Sequence, residues 1–103
     1  MSYLVNGTNI APIAYGTWSS PNLSNGFNCT VTGTTSVVVT ITNSDSINYT
    51  KLVAIATPQG GQGATIGWTI TSTGTTPKIT FNTWNTNYSI QTVAFSFVIF
   101  GSA

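Results

Sequence analysis

Histidine, arginine and glutamate are absent from the 103 residues, and charge is confined to Lys51, Lys78 and Asp45. Each absence removes a class of chemistry. Without histidine no Ser-His-Asp triad can form within the chain, and general-base work would fall to Asp45, a lysine or a tyrosine. A glycosidase of the usual kind needs two carboxylates. One chain supplies one, and equivalent copies of Asp45 in a trimer would not obviously divide into acid and base. Zinc and calcium sites lack their customary ligands, so no metal and no cofactor are expected. Gly60-Gly61-Gln62-Gly63 is not followed by the lysine of a phosphate loop. The composition therefore points away from an enzyme. A net charge of +1 provides almost no steering field, and nucleic acid, which needs several cations to neutralise its phosphates, is excluded as a partner.

Cysteine is nearly absent as well. Cys29 stands alone, which rules out an intramolecular disulfide and a CxxC-type metal site; it is expected to be a small buried hydrophobe on a strand. Met1-Ser2-Tyr3-Leu4-Val5 has neither a basic region nor a long apolar run, so no signal peptide is expected. No stretch approaches the ~18 apolar residues of a membrane span. The chain reads as made and kept reduced inside a cell. Five Asn-x-Ser/Thr sequons, at Asn6, Asn22, Asn28, Asn48 and Asn87, are read as products of a composition rich in these residues.

What remains is apolar and neutral-polar. Hydrophobic residues make up 41% and aromatics 12%, enough for one domain, residues 1–103, with a single modest core. Threonine, asparagine, serine and glycine supply the solubility. Such a surface suits sugars and water-mediated contacts, and it lacks the charge that keeps copies of a chain apart.

No segment keeps an apolar period of 3.6, and Thr, Val and Ile crowd wherever the chain is apolar, so strands are expected throughout. Residues 1–12 form an N-terminal segment, extended or at an assembly axis, with a turn at Asn6-Gly7-Thr8-Asn9. Ile13 to Trp18 is a first strand, with Pro12 at its start. Ser19 to Gly26 is a loop of turn formers, and Phe27 to Thr32 pairs with Ser36 to Thr42 as a hairpin. Asn43 to Asn48 is a loop in which Asp45 serves the turn. The nearly continuous apolar run Leu52 to Thr57 belongs in the centre of a sheet. Gly60 to Gly63 makes a flexible or tightly turned loop. Ala64 to Thr71 and Ile79 to Trp84 are further strands, with Trp68 expected in the core beside Ile66 and Ile70.

The last strand, Val93 to Phe100, stops at Gly101 and alternates about a period of two. Phe95, Phe97 and Ile99 face the core, while Val98 and Phe100 face a neighbouring subunit, since a strand apolar on both sides needs cover on both sides. About seven short strands at this spacing predict an antiparallel β-sandwich.

Several of these segments resemble, in order, the C-terminal head domain of bacteriophage tail fibres. They are Asn28-Cys29-Thr30-Val31, Val37 to Thr42, Tyr49 to Pro58, Ile79 to Thr83, and above all Ala94-Phe95-Ser96-Phe97-Val98-Ile99-Phe100-Gly101. The resemblance spans roughly Ala14 to Gly101. It implies a parallel homotrimer on a virion, at a fibre tip or capsid surface, binding host cell-surface glycan or protein. Related heads often carry charged residues before the Phe-Asn pair, where this chain has only Lys78, which makes an anionic sugar a less secure receptor.

For a sugar, the useful constellation is an aromatic ring beside amide and hydroxyl groups. Trp84, Asn85, Asn87 and Tyr88 offer it at a hairpin tip, with core or subunit contact as the alternative for Trp84. Trp18, at the end of its strand, is open to the same two readings, and Asn48 with Tyr49 is a third candidate. A receptor-binding module therefore competes with a purely structural virion or fibre-capping protein that binds nothing. An ice-binding surface built on Thr32, Thr40-Ile41-Thr42 and Thr69-Ile70-Thr71 is a lesser alternative, because no fixed repeat stacks these pairs. A cellular lectin of similar build is another.

Overall fold

Glycine, proline and asparagine cut the chain into short extended runs. In the computed structural model these runs form nine strands, across residues 3–5, 8–42, 47–59, 64–85 and 87–102, which are the residues the structure describes. The strands are β1 (Tyr3–Val5), β2 (Thr8–Ser19), β3 (Asn22–Phe27), β4 (Cys29–Thr32) and β5 (Ser36–Ile41), then β6 (Lys51–Pro58), β7 (Ala64–Ser72), β8 (Lys78–Asn85) and β9 (Phe95–Ser102). No helix occurs among the described residues. One sheet has the order β1-β2-β9-β6, with β3 also paired to β2, and the other has the order β4-β5-β8-β7. Every strand pairing is antiparallel.

The two sheets share one core, giving the expected all-β, sandwich-like arrangement. β9 lies between β2 and β6 and turns Phe95, Phe97 and Ile99 inward, where all three are buried. From the opposite sheet Val37, Val39, Ile41, Ile79 and Phe81 are buried against them. The Phe81 ring stands 5.3 Å from that of Phe95 and 5.7 Å from that of Phe97, within the range of favourable tilted aromatic pairs.

Several expectations are corrected. The segment read as a loop from Ser19 to Gly26 contains β3, because pairing with β2 overrides the turn-forming character of its residues. The expected strand from Phe27 to Thr32 is broken at Asn28, whose φ of 58° is tolerated by asparagine better than by most residues. Phe27 ends β3 in one sheet and Cys29 begins β4 in the other. The corner is pinned, since Asn28 Nδ2 donates to the Ile13 carbonyl at 2.9 Å and the Thr42 amide donates to the Asn28 carbonyl at 2.9 Å. β2 runs from Thr8 to Ser19, so Pro12 falls within the strand, and the pairing with β9 shifts register between Pro12 and Ala14. A bulge is where a residue without an amide hydrogen is tolerated. Thr8 and Asn9 belong to this strand; Asn6, Gly7, Asp45, Gly60 to Gly63 and Thr86 lie outside the described residues.

The Leu52–Thr57 run is an edge strand, not a central one: β6 pairs only with β9 among the described residues. Its inward residues Leu52 and Ala54 are buried, but Val53 and Ile55 point outward, each 54% exposed. Its continuous apolarity records an apolar outer face. β9 begins at Phe95 and continues through Gly101 to Ser102. A Cβ at Gly101 would stand 2.7 Å from Ile13 Cδ1 and 3.1 Å from both Leu52 Cδ2 and Tyr49 Cδ1. This glycine permits close packing instead of ending the strand.

Two substitutions separate these effects. Phe81→Ala is expected to lose about 3–5 kcal/mol through the cavity left between the sheets. Gly101→Ala is expected to lose about 1–3 kcal/mol through overpacking. Urea unfolding should show a lower midpoint with an unchanged m-value in both. A wild-type midpoint for Phe81→Ala would contradict the shared core.

Candidate ligand-binding cleft

Alternation along β8 sends Ile79, Phe81 and Thr83 inward, and Lys78, Thr80, Asn82 and Trp84 outward. Trp84 therefore lies on the outer face of its sheet, half-buried. Gly67 on β7 is next to it: a Cβ there would stand 3.4 Å from the indole Cζ3, so the missing side chain lets the ring settle against the sheet. Register places Asn82 opposite Ser36 on one side and opposite Gly67 on the other. A cleft of about 100 Å³ opens at this point, lined by Thr35, Ser36, Asn82, Thr83, Trp84 and Ile90.

The segment after β8 folds back to complete the cleft. Ile90 forms a bridge with Trp84, and the Gln91 amide donates to the Thr83 carbonyl at 3.3 Å. Thr83 Oγ1 donates in turn to the Gln91 carbonyl, and the Thr83 amide donates to the Thr35 carbonyl at 3.1 Å. Thr83 is buried, so it acts as a fastener between the sheet and the returning chain. Asn85 organises the tip. Its Oδ1 accepts from the amides of Asn87 at 2.8 Å and Ser89 at 3.0 Å, and its own amide donates to the Ser89 carbonyl at 2.9 Å. This is the local turn chemistry that asparagine performs well. Tyr88, at φ 61° and 81% exposed, is held outward in a conformation that a bulky residue rarely adopts.

Of the expected site residues, Trp84 lines the cleft, whereas Asn85 shapes the tip and Asn87 and Tyr88 are exposed on it, and none of these three lines the cleft. Trp18 is in the core, 3% exposed, with its indole Nε1 buried and without a hydrogen-bond partner. It packs instead of meeting a ligand. Tyr49 is likewise buried, its backbone exchanging hydrogen bonds of 2.9 and 3.0 Å with Gly74. Asn48 is exposed beside it, apart from the Trp84 cleft. Trp68, expected in the core, does lie on the inner face opposite Phe81. It is nevertheless 39% exposed, because β7 is the edge of its sheet. Thr35, Ser36, Asn82 and Ile90 were not expected in a site. They come from separate strands and turns, and no spacing along the chain connects them to Trp84.

The outer face around the cleft is hydroxyl-rich. Thr30 pairs with Thr40 and Thr69 with Thr80, and Thr80 Oγ1 donates to Thr71 Oγ1 at 3.4 Å. Val38 and Lys78 interrupt the rows, so the threonines do not form the regular array that ordering ice would require. No cluster of three or more His, Cys, Asp or Glu suited to a metal occurs among the described residues. Compared with protein-family models, with curated proteins and with solved structures, the chain matches none.

Cys29 is half-buried, with Sγ directed at the Tyr15 carbonyl at 3.8 Å. Burial raises its pKa above the ordinary thiol value, partly offset by a backbone hydrogen bond at Phe27. The folded chain thus favours the neutral thiol. The resulting stabilisation is complete below the ordinary thiol pKa and is lost as pH rises through the raised one. Because the thiolate is the nucleophile, native Cys29 is expected to react with a disulfide reagent at least ~10-fold more slowly than in urea at neutral pH. Equal rates would contradict its burial.

Proposed function

We propose that the chain is a non-catalytic receptor-binding protein of the kind found as the head of a bacteriophage tail fibre. It acts as a homotrimer on the virion, with Val98 and Phe100 turned toward neighbouring subunits, and its ligand is a host cell-surface glycan. The observation that carries this reading is the Trp84 cleft. An indole stands on an outer sheet face with Asn82, Ser36 and Thr35 around it, so one apolar ring meets several neutral hydrogen-bonding groups. An indole face covers the apolar side of a sugar, while amide and hydroxyl groups select its hydroxyls. Lys78 is the one cation on this face, which favours a neutral sugar over an anionic one.

The cleft's size favours a second reading. About 100 Å³ is well below the several hundred Å³ of an enclosing ligand pocket, so a sugar would lie across Trp84 without being surrounded. A structural virion or fibre-capping protein with no ligand is consistent with so shallow a depression.

The two readings separate on a glycan array supplemented with host surface extracts. The wild type is expected to bind at least one neutral glycan, and Trp84→Ala to lose at least ~10-fold in affinity, the loss of roughly one stacked ring. Asn82→Ala is expected to weaken binding less. No binding to any glycan or extract would favour the structural reading.

A further inference from the structure

The two outer faces of this protein differ in kind. One, around the cleft, carries threonines, Ser36, Asn82 and Lys78. The other, on the sheet of β2, β3, β6 and β9, carries two apolar rows. Register aligns Phe27, Tyr15, Val98 and Ile55 in one row across four strands, and Phe100 with Val53 in the next. Tyr15 and Phe27 stack with ring centroids 5.1 Å apart, and both are nearly half exposed. An antiparallel sheet whose outer face meets water normally alternates apolar-in with polar-out. The β4-β5-β8-β7 sheet does so, whereas this one does not.

We propose that this face is covered by another copy of the same chain, packed sheet against sheet through Tyr15, Phe27, Val53, Ile55, Val98 and Phe100. Three observations select that occupant. First, the face offers a charged partner nothing to pair with, since Lys51 at its margin is the only charged residue in the five strands of this sheet. The same neutrality places no repulsion between two copies. Second, two of the hydroxyls in the middle of the face already satisfy each other: Thr17 Oγ1 and Ser96 Oγ share a hydrogen bond of 2.9 Å. Desolvating that pair therefore orphans neither hydroxyl. Third, the size is sufficient. Four strands ~4.8 Å apart and ~27 Å long present about 500 Å² per copy, so a facing pair covers about 1,000 Å², the lower bound of specific interfaces. The face can thus meet the same face of a neighbour about a two-fold axis or, in the proposed trimer, about a three-fold one. The inference extends the assembly part of the proposed function well beyond Val98 and Phe100, and it stands whether or not the Trp84 cleft binds a sugar.

Light scattering and sedimentation at micromolar concentration test it. The wild type is expected at two or three times 10.8 kDa. Ile55→Lys, and independently Val53→Lys, are expected to fall to 10.8 kDa with the strand circular dichroism of the wild type. Thr69→Lys on the opposite face should leave the mass unchanged. Two substitutions keep the test intact if one variant fails to fold. A wild-type monomer would overturn the proposal, as would folded lysine variants that keep the wild-type mass. A monomer that co-sediments with phosphatidylcholine vesicles would assign the face to lipid instead. Glycan binding by Trp84→Ala is measured separately, so failure of one proposal is distinguishable from failure of the other.

Discussion

The contact of Phe81 with Phe95 and Phe97 holds the two sheets together, and the remaining architecture depends on it. Phe81 lies at the centre of β8 and the other two rings at the start of β9, and each of these strands has two antiparallel neighbours. Once they point inward, the period of two settles the side chains that must point outward. Trp84 is three residues beyond Phe81 and so falls on an outer face. Val98 lies between Phe97 and Ile99 and falls on the other. The position of the cleft and the composition of the opposite face both follow from burying the same three rings.

With so few charges, the chain solvates itself through hydroxyl and amide groups, and these are divided unevenly. Threonines on β4, β5, β7 and β8 wet one face. On the other, Val53, Ile55, Val98 and Phe100 leave the Thr17–Ser96 pair, Ser24 and Thr57 as polar relief, with Lys51 at the margin. A uniform scatter of exposed apolar residues would need no explanation. One row aligned across four strands with a second beside it is a different matter, because together they form one continuous surface that water covers poorly. In the proposed assembly the hydroxylated face meets water and the apolar face is covered.

Much of the fold was legible from alternation alone. Val37, Val39 and Ile41, like Phe95, Phe97 and Ile99, are buried as their spacing implies. The misreadings fall where tertiary pairing outweighs local preference. β3 is built from serine, asparagine and glycine residues that favour turns, and its strand character comes from pairing with β2 around Asn25, at φ 52°. Alternation also says that two faces exist without saying which is inside or how far cover extends. Trp18 was therefore equally compatible with a site and with the core, and Trp68 sits on an inner face that the opposite sheet does not fully cover. The continuous apolar run in β6 looked central because doubly covered strands are apolar on both sides; here no second cover lies over Val53 and Ile55 among the described residues. For the candidate site, Trp84 and its tip could be read from sequence, whereas Thr35, Ser36 and Asn82 become its neighbours only through the β5–β8 pairing.

The central claim, that one outer face meets another copy of itself while the other meets solvent, is tested most directly by isotope-filtered NOE measurements. The sample mixes labelled with unlabelled chains. The account predicts intermolecular contacts from the methyl groups of Val53, Ile55 and Val98 to apolar or aromatic groups on the same face, and none from Thr30, Thr69 or Thr80. Intermolecular contacts confined to the threonine face, or none at concentrations where the chain is fully folded, would contradict it.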